Sequence, residues 1–379
     1  MHVLLYSRPF FPATGGIETV SLTLAQQITA AGHRCTVVTE TPADPANPGA
    51  FAFAPKFEIV RRPSQLARLA LVRAADVVHS NGASLALFAH AKLARRPFVW
   101  THAGYQLVSV DGLGWVDGAP APLHPLASLA LHARRSGPRY AAAQALKLGL
   151  RNVVGRLVDK NVAITHWVAD RQPLPRQVVI YNPFPLGRFT AAKQRPAPTH
   201  DFVYLGRLVS EKGVPTLIEA LARVNARPGK RPATLLLVGD GPERGALEEL
   251  VRARGLGAHV TFAGMKRDDA LVDAVADGAV AVVPSAWEEP MGGVAVELLA
   301  AGKPLIVSER GGLAECVGEA AWTFPNGDAP ALAERMAAVF DDETLRTSKA
   351  RFAPDVLARF DEARLTREYL KLYQDLVRA

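Results

Sequence analysis

Short β-branched runs alternate along the chain with segments whose apolar residues recur every three or four positions. The first pattern suits buried parallel strands, and the second suits helices laid over them. In the first half the expected strands are "HVLLYS", "HRCTVVTE", "FEIVRR", "DVVHSNG", "PFVWTHAG", "NVAIT" and "QVVIYN". In the second half they are "DFVYLGRL", "ATLLLVGDG", "HVTFAG", "AVAVVPS", "PLIVSE" and "AAWTF". Helical periods lie between most of them, as in "VPTLIEALARVNA" and "GALEELVRARGL". A Pro-rich joint, Asn182–Asp201, separates the two series and reads as an interdomain linker. The halves share no residue-level repeat, so the repetition is architectural.

Two segments break the alternation. Residues 105–160 carry a Gly/Pro/Trp loop, "DGLGWVDGAPAPLHP", followed by long helical patterns. Extra elements at the carboxyl end of a strand are where an α/β domain shapes a substrate pocket. The last segment, "DEARLTREYLKLYQDLVRA", is an amphipathic helix with no strand after it. It either closes the second domain or crosses back to the first.

Length and composition fit this picture. A chain of 379 residues suggests two domains. With 49% hydrophobic and 21% charged residues it has the composition of a soluble globular enzyme. No apolar run is long enough to span a bilayer, and the start lacks the features of a signal peptide. Cys35 and Cys316 lie far apart without a spacing partner, which suits free thiols in a reducing cytoplasm.

The net charge of +8 is unevenly spread. Residues 1–185 hold 19 Lys and Arg against 9 Asp and Glu, whereas residues 186–379 hold 25 against 27. A basic first half suits a phosphate-bearing substrate, a lipid surface or nucleic acid, or it reflects solvated helix faces. The aromatic-plus-Arg module of nucleic-acid binders is absent from it, so nucleic acid is not expected.

In doubly wound sheets ligands bind where strands end and helices begin. After the first strand comes "RPFFPATGGIE", in which Gly15 and Gly16 allow close backbone approach ahead of a helix amino end. A phosphate-contacting loop and an ordinary tight turn both fit. In "LLLVGDGPERG", Gly239 and Gly241 follow a strand, but Arg244 stands where a dinucleotide fingerprint needs its third glycine. Pro242 suits a first helical position, and a nicotinamide site is not expected. "YLGRLVSEKG" places Arg207 and Lys212 beyond the next domain's first strand, as phosphate ligands or as surface charge.

The densest signal is "PSAWEEPMGGVAVELLAAGKPLIVS", Pro284–Ser308. "AVAVVPS" reads as a buried strand and "GVAVELLAAG" as its helix, so Gly292 and Gly293 lie at an amino end that favours an anion. Glu289, ahead of the glycines, suits hydroxyl groups beyond a diphosphate. Glu297 falls four residues after Gly293, on the same helix face, and suits a ribose diol. The competing reading makes Glu288 and Glu289 helix caps and Glu297 a surface residue, yet a glutamate amid "VAVELLAAG" fits a solvated face poorly.

With Arg207, Lys212 and Gly239–Pro242, this run resembles family four of the retaining glycosyltransferases, whose hallmark is two glutamates separated by seven residues around a Pro-aromatic-Gly step. Here those positions are Glu289, Pro290, Met291, Gly292 and Glu297, with Met291 replacing the usual Phe. The likeness extends over nearly the whole chain, including "GGIE", "DVVHSNG", "NPFPLGRF" and "EYLKLYQDLV", and is weakest across residues 105–160.

The resemblance implies the α/β GT-B fold, two Rossmann-like doubly wound parallel-sheet domains facing across a cleft. Residues 1–183, completed by the closing helix 362–379, would bind the acceptor, and 184–361 the nucleotide-sugar. It implies that Glu289 binds donor-sugar hydroxyls and Glu297 the ribose, and that Arg207 and Lys212 neutralise the diphosphate. Backbone N–H groups at Met291, Gly292 and Gly293 would help, with Gly15 and Gly16 approaching from the first domain. His102 of "FVWTHAG" matches a histidine that contacts the donor sugar, and the loop holding Met265 matches one that borders the base.

The expected activity is metal-independent, retaining transfer from a nucleoside-diphosphate sugar, UDP before GDP, to a hydroxyl acceptor without a further cofactor. No Asp-x-Asp pair follows a strand and the histidines do not cluster. The alternative is a nucleotide-sugar epimerase of the same fold. Candidate acceptors are glycolipid or polysaccharide precursors and small glycosides. The basic first domain is compatible with peripheral contact at an anionic membrane from the cytoplasmic side.

Overall fold

The structure, a computed structural model, describes residues 1–13, 15–43, 55–194 and 197–378. Thr14 of the glycine loop and residues 195–196 of the expected linker lie outside that range. The chain divides into two units: Met1–Gly114 with Ala121–Pro185 and Phe360–Ala379, and Trp115–Pro120 with Leu186–Arg359.

In the first unit, strands β1 (His2–Ser7), β2 (Arg34–Thr39), β3 (Glu58–Arg61), β4 (Val77–Asn81) and β5 (Phe98–His102) alternate with helices α1 (Gly16–Ala30), α2 (Gln65–Ala74) and α3 (Leu85–Leu93). The residue 105–160 segment then supplies a small antiparallel hairpin, β6 (Trp115–Val116) and β7 (Ala119–Pro120), which groups with the second unit. Two helices follow it, α4 (Pro125–Ser136) and α5 (Pro138–Leu157). Strand β8 (Lys160–Ala163), helix α6 (His166–Arg171) and strand β9 (Gln177–Val179) finish the series. The sheet order is β3-β2-β1-β4-β5-β8-β9, parallel throughout.

Side chains of β1 alternate between the two faces of the sheet, as the strand period requires. Val3 and Leu5 pack with Leu24, Ile28, Tyr369 and Tyr373 on one face. Leu4 and Tyr6 pack with Val78, Phe98 and Trp100 on the other.

The second unit begins with the short helix α7 (Gly187–Thr190) and a 3-10 turn, Ala191–Gln194, so the linker is partly helical. Its strands are β10 (His200–Leu205), β11 (Leu235–Val238), β12 (Val260–Gly264), β13 (Gly278–Val283), β14 (Leu305–Ser308) and β15 (Ala321–Phe324). Between and after them lie α8 (Val214–Asn225), α9 (Arg244–Ala253), α10 (Asp268–Ala276), α11 (Gly293–Ala300), α12 (Gly312–Val317), α13 (Ala329–Asp341), α14 (Glu343–Thr347) and α15 (Ala353–Ala358). The order is β12-β11-β10-β13-β14-β15, again all parallel. The closing helix α16 (Glu362–Arg378) belongs to the first unit, where Leu365, Tyr369 and Tyr373 join its core.

In both sheets the strand order therefore reverses beside the first strand, at β1/β4 and at β10/β13. In such folds the loops leaving those carboxyl ends diverge, and the crevice between them is the usual ligand position.

Candidate active site

In the second unit the loops after β10 and β13 bring two charges together. Glu289 is 6% exposed. Its Oε1 accepts a hydrogen bond from Lys212 Nζ at 2.7 Å and another, short, from the Ser285 hydroxyl. Lys212 ends a single 3-10 turn, Ser210–Lys212, and Gly213 follows with φ +67°. A Cβ on Gly213 would lie 2.0 Å from the Pro284 carbonyl oxygen, so only glycine lets the loops approach this closely. The Ala286 N–H donates to the Glu211 carbonyl at 3.0 Å, tying the same loops by backbone. From the other side the Gly312 N–H donates to the Glu289 carbonyl at 2.7 Å.

Helix α11 begins immediately beyond. Its N-cap, Gly292, offers no side chain, so the first amides are not capped from within the loop. A Cβ on Gly292 would meet Leu313 Cδ1 at 2.7 Å, which explains the glycine by packing alone. Met291, the departure from the usual aromatic, is buried. Cys316 lies below this turn. Burial pushes its thiol up to about 12, with the Gly292 N–H acting in the opposite direction.

Glu297 is one turn into α11 and mostly buried, and Arg188 Nη2 approaches its Oε1 at 3.3 Å. Burial raises its pKa, and the Arg188 charge and hydrogen bond lower it. Arg188 comes from α7, in the joint.

The remaining sequence-selected residues of this unit lie on the loops after β10, β11 and β12. Arg207 is largely exposed and reaches Glu211 at 3.4 Å, while its carbonyl accepts from the buried Tyr204 hydroxyl at 2.8 Å. Gly239 has φ +140°, and a Cβ there would lie 1.9 Å from the Gly206 carbonyl oxygen. One on Gly241 would lie 2.3 Å from that of Leu208. Both glycines thus let the β11 loop lie against the β10 loop. Met265 is 54% exposed. Pro242 departs from expectation: α9 starts at Arg244 with Glu243 as N-cap. The Glu243 N–H is drawn to the Leu208 carbonyl at 3.1 Å, which holds residues 241–243 in a turn ahead of the helix.

In the first unit His102 closes β5 and is 1% exposed. Its Nε2 lies 2.8 Å from Asn161 Oδ1. The Asn161 amide is oriented by donating to the carbonyls of Gly155 and Pro175, so Oδ1 faces the ring and Nε2 carries the proton. Burial lowers the His102 pKa to about 4, against the Asn161 hydrogen bond. The ring is therefore neutral near pH 7, and its buried Nδ1 is an acceptor with no hydrogen-bond partner among the described residues. Gly16 is the first residue of α1, and Gly15 its N-cap without a side-chain bond. A Cβ on Gly16 would meet nothing within 4 Å, so the fold itself does not require that glycine. Among the described residues no three His, Cys, Asp or Glu side chains gather as around a metal ion.

Residues 189–355 match the family described as Glycosyl transferases group 1, and residues 14–188 match Glycosyltransferase Family 4. The chain belongs to the family 4, group 1 glycosyltransferases. Among curated relatives of this glycosyltransferase, the 2-deoxystreptamine N-acetyl-D-glucosaminyltransferase of Streptomyces fradiae is 36% identical over 160 residues, 41% of this chain and 38% of that one. The alpha-D-kanosaminyltransferase of Streptomyces kanamyceticus is 33% identical over 150 residues, 39% and 38% of the two chains. The chain thus spans less than two-fifths of the length of these relatives. Among solved structures, Anabaena HepE in complex with UDP aligns with a TM-score of 0.74 at 21% identity, covering 99% of this chain and all of that one. The sucrose-phosphate synthase of Thermosynechococcus elongatus gives 0.73 at 20% identity, covering 99% and 98%. These likenesses establish the fold as GT-B.

Three polar partners of the sequence-selected residues escape the motif reading. Ser285 sits inside the quoted stretch but looks like the end of a strand. Arg188 lies in a joint read only as linker. Asn161 follows Lys160 at the polar start of β8, where such residues are ordinary, so no local pattern marks it.

Proposed function

We propose that this glycosyltransferase moves a sugar from a nucleoside-diphosphate donor, UDP-linked before GDP-linked, to a hydroxyl acceptor with retention at the anomeric carbon. The observation that carries the reading is the buried Lys212–Glu289 pair at the uncapped amino end of α11. Free amides, a helix dipole and a lysine suit a diphosphate, while the adjoining carboxylate suits hydroxyl groups. The HepE structures, which are complexes with UDP and with UDP-glucose, support the choice of base.

In this reading Glu289 accepts hydrogen bonds from donor-sugar hydroxyls, and Lys212 with Arg207 takes up the charge that develops on the leaving diphosphate. Backbone groups at Met291, Gly292, Gly293, Gly239 and Gly241 line the phosphates, and Met265 borders the base. In the first unit, Gly15 and Gly16 present the amino end of α1, and His102 Nδ1 accepts from a sugar hydroxyl. The acceptor oxygen bonds to the anomeric carbon on the face the diphosphate leaves, and the departing diphosphate oxygen takes the acceptor proton. Residues, not a metal, neutralise the leaving group, and no separate cofactor is needed. The cytoplasm is the setting this donor chemistry suits.

The test is a melting series with UDP, GDP and their sugars, with and without EDTA, followed by NMR of the glycoside formed. We expect stabilisation by uridine compounds through mass action, unchanged by EDTA, and an α-product from an α-linked donor. No stabilisation by any nucleotide, or a product of opposite configuration, overturns the corresponding part.

Glu297 adds a pH dependence. To accept two ribose hydroxyls it must be ionised, and burial makes it take up a proton at higher pH than an ordinary glutamate. Donor KM is expected to rise on acidification from neutral pH, beginning above the usual carboxylate range. Glu297→Gln should show a roughly tenfold higher and pH-flat KM. The stability sign runs the other way. A raised carboxyl pKa favours the folded state at low pH, and that contribution is lost as pH rises through the folded value. Glu297→Gln should therefore melt no lower than wild type at neutral pH.

A further inference from the structure

Helix α11 is apolar except at one position. Around Glu297 stand Ala295, Val296, Leu298 and Leu299, all buried, and the glutamate side chain is itself only 13% exposed. A carboxylate so enclosed loses most of its hydration, and the neutral acid is favoured unless a cation stands beside it. Helix α11 packs against α7, α12, α15, β13 and β14. The two strands carry no titratable residue, α12 carries Glu315 and Cys316, and α15 carries Asp355. None of those three acts on the Glu297 charge, and Arg188 of α7 is the one charged group among the described residues that does. It reaches Glu297 Oε1 through Nη2 at 3.3 Å.

The arginine is held ready for this contact. Its guanidinium lies over the Phe189 ring, 4.7 Å from the centroid, and Phe189 is fully buried. The ring is therefore a fixed plate, and a flat cation stacked on it loses less freedom on pairing than a lysine would. The Phe189 N–H donates to the Leu186 carbonyl at 3.0 Å, and the Thr190 hydroxyl donates to that of Gly187 at 2.7 Å, which closes α7 on itself. Contact at Oε1 leaves Oε2 to hydroxyl donors. We propose that Arg188 is a positioning residue for the donor nucleotide: it holds Glu297 as an oriented carboxylate open to the ribose hydroxyls, and so sets a preference for ribose over deoxyribose. The inference rests on the reading of Glu297 as the ribose acceptor and adds the group that keeps it able to accept. A neutral carboxyl would give one oxygen to its own proton and would take the two hydroxyls less well. An ion pair exposed at both ends would do little, but here the carboxylate end is buried.

The test is calorimetric titration of wild type, Arg188→Gln, Arg188→Lys and Glu297→Gln with UDP and with 2′-deoxy-UDP, from about pH 6 to about pH 9. The ratio of the two dissociation constants cancels the titration of the diphosphate and of Lys212, and isolates what the 2′-hydroxyl meets. We expect a ratio of about ten at about pH 9 in wild type and in Arg188→Gln alike. On acidification the ratio falls in both. In Arg188→Gln it falls from a higher pH, leaving at least about threefold less preference than wild type at about pH 7. Arg188→Lys should recover most of the difference because it keeps the charge, and Glu297→Gln should hold a low ratio that does not change with pH. The Arg188 side chain is 41% exposed, so its loss leaves the fold intact. A merely structural role would weaken both nucleotides together without moving the ratio. A pH profile of the ratio unchanged in Arg188→Gln overturns the inference while the ribose reading stands. A ratio near one in wild type at every pH, or no binding of UDP, overturns the ribose reading, and the inference falls with it.

Discussion

Lys212→Ala is expected to lower kcat/KM for sugar transfer by about a thousandfold while leaving a folded protein. Two consequences of one contact produce this. Lys212 Nζ stands 2.7 Å from Glu289 Oε1 at the amino end of α11, so its removal takes away the closest cation for a departing diphosphate. It also leaves a buried carboxylate with Ser285 as its remaining side-chain partner. Breaking a fully buried ion pair destabilises by about 3–5 kcal/mol, and about 2 kcal/mol is reasonable here because the lysine side chain is one-fifth exposed. For a unit of this size that corresponds to a melting point lower by roughly 4–8 °C. Adding Glu289→Gln to Lys212→Ala should restore much of the melting point and none of the activity. The two effects are separated by measuring melting and turnover on the same three variants. Turnover within tenfold of wild type for Lys212→Ala would remove the lysine from the chemistry.

How far the sequence carried depends on what each residue answers to. Strand and helix positions were legible because burial on both faces demands apolar runs such as "AVAVV", and each expected strand is present within a residue or two at most ends. Glu289 and Lys212 stood out because charged residues in loops beyond strand ends have few structural reasons to be there, and Glu297 because it interrupts an apolar helix. The glycines were only half legible. Gly213, Gly239 and Gly292 look alike in sequence to Gly16, yet backbone or side-chain atoms crowd the first three and nothing crowds the last. That distinction depends on which loops meet in space, and no local pattern encodes it. Arg188 was hidden for the same reason: its partner Glu297 is 109 residues away. The tautomer of His102 required Asn161, and the Asn161 amide in turn required two carbonyls from a different loop and helix.

Gly213 is a position where a very small substitution should do large structural damage next to the proposed site. In Gly213→Ala the new methyl group would sit 2.0 Å from the Pro284 carbonyl oxygen and 3.0 Å from the Ala286 nitrogen, in a residue whose φ is +67°. Backbone strain of that kind costs about 1 kcal/mol. Relieving a backbone clash adds roughly 3 kcal/mol more, because the two loops must separate. The melting point should fall by about 8–16 °C, and transfer should be lost as Lys212 withdraws from Glu289. Gly229 supplies the control: its φ is +73°, yet a Cβ there meets nothing within 4 Å. Gly229→Ala should carry the strain alone, with a fall of about 2–4 °C and full activity. Equal effects at the two positions would mean that dihedral strain, not the meeting of the β10 and β13 loops, sets the requirement for glycine. The contact that holds Lys212 beside α11 would then have to be sought elsewhere.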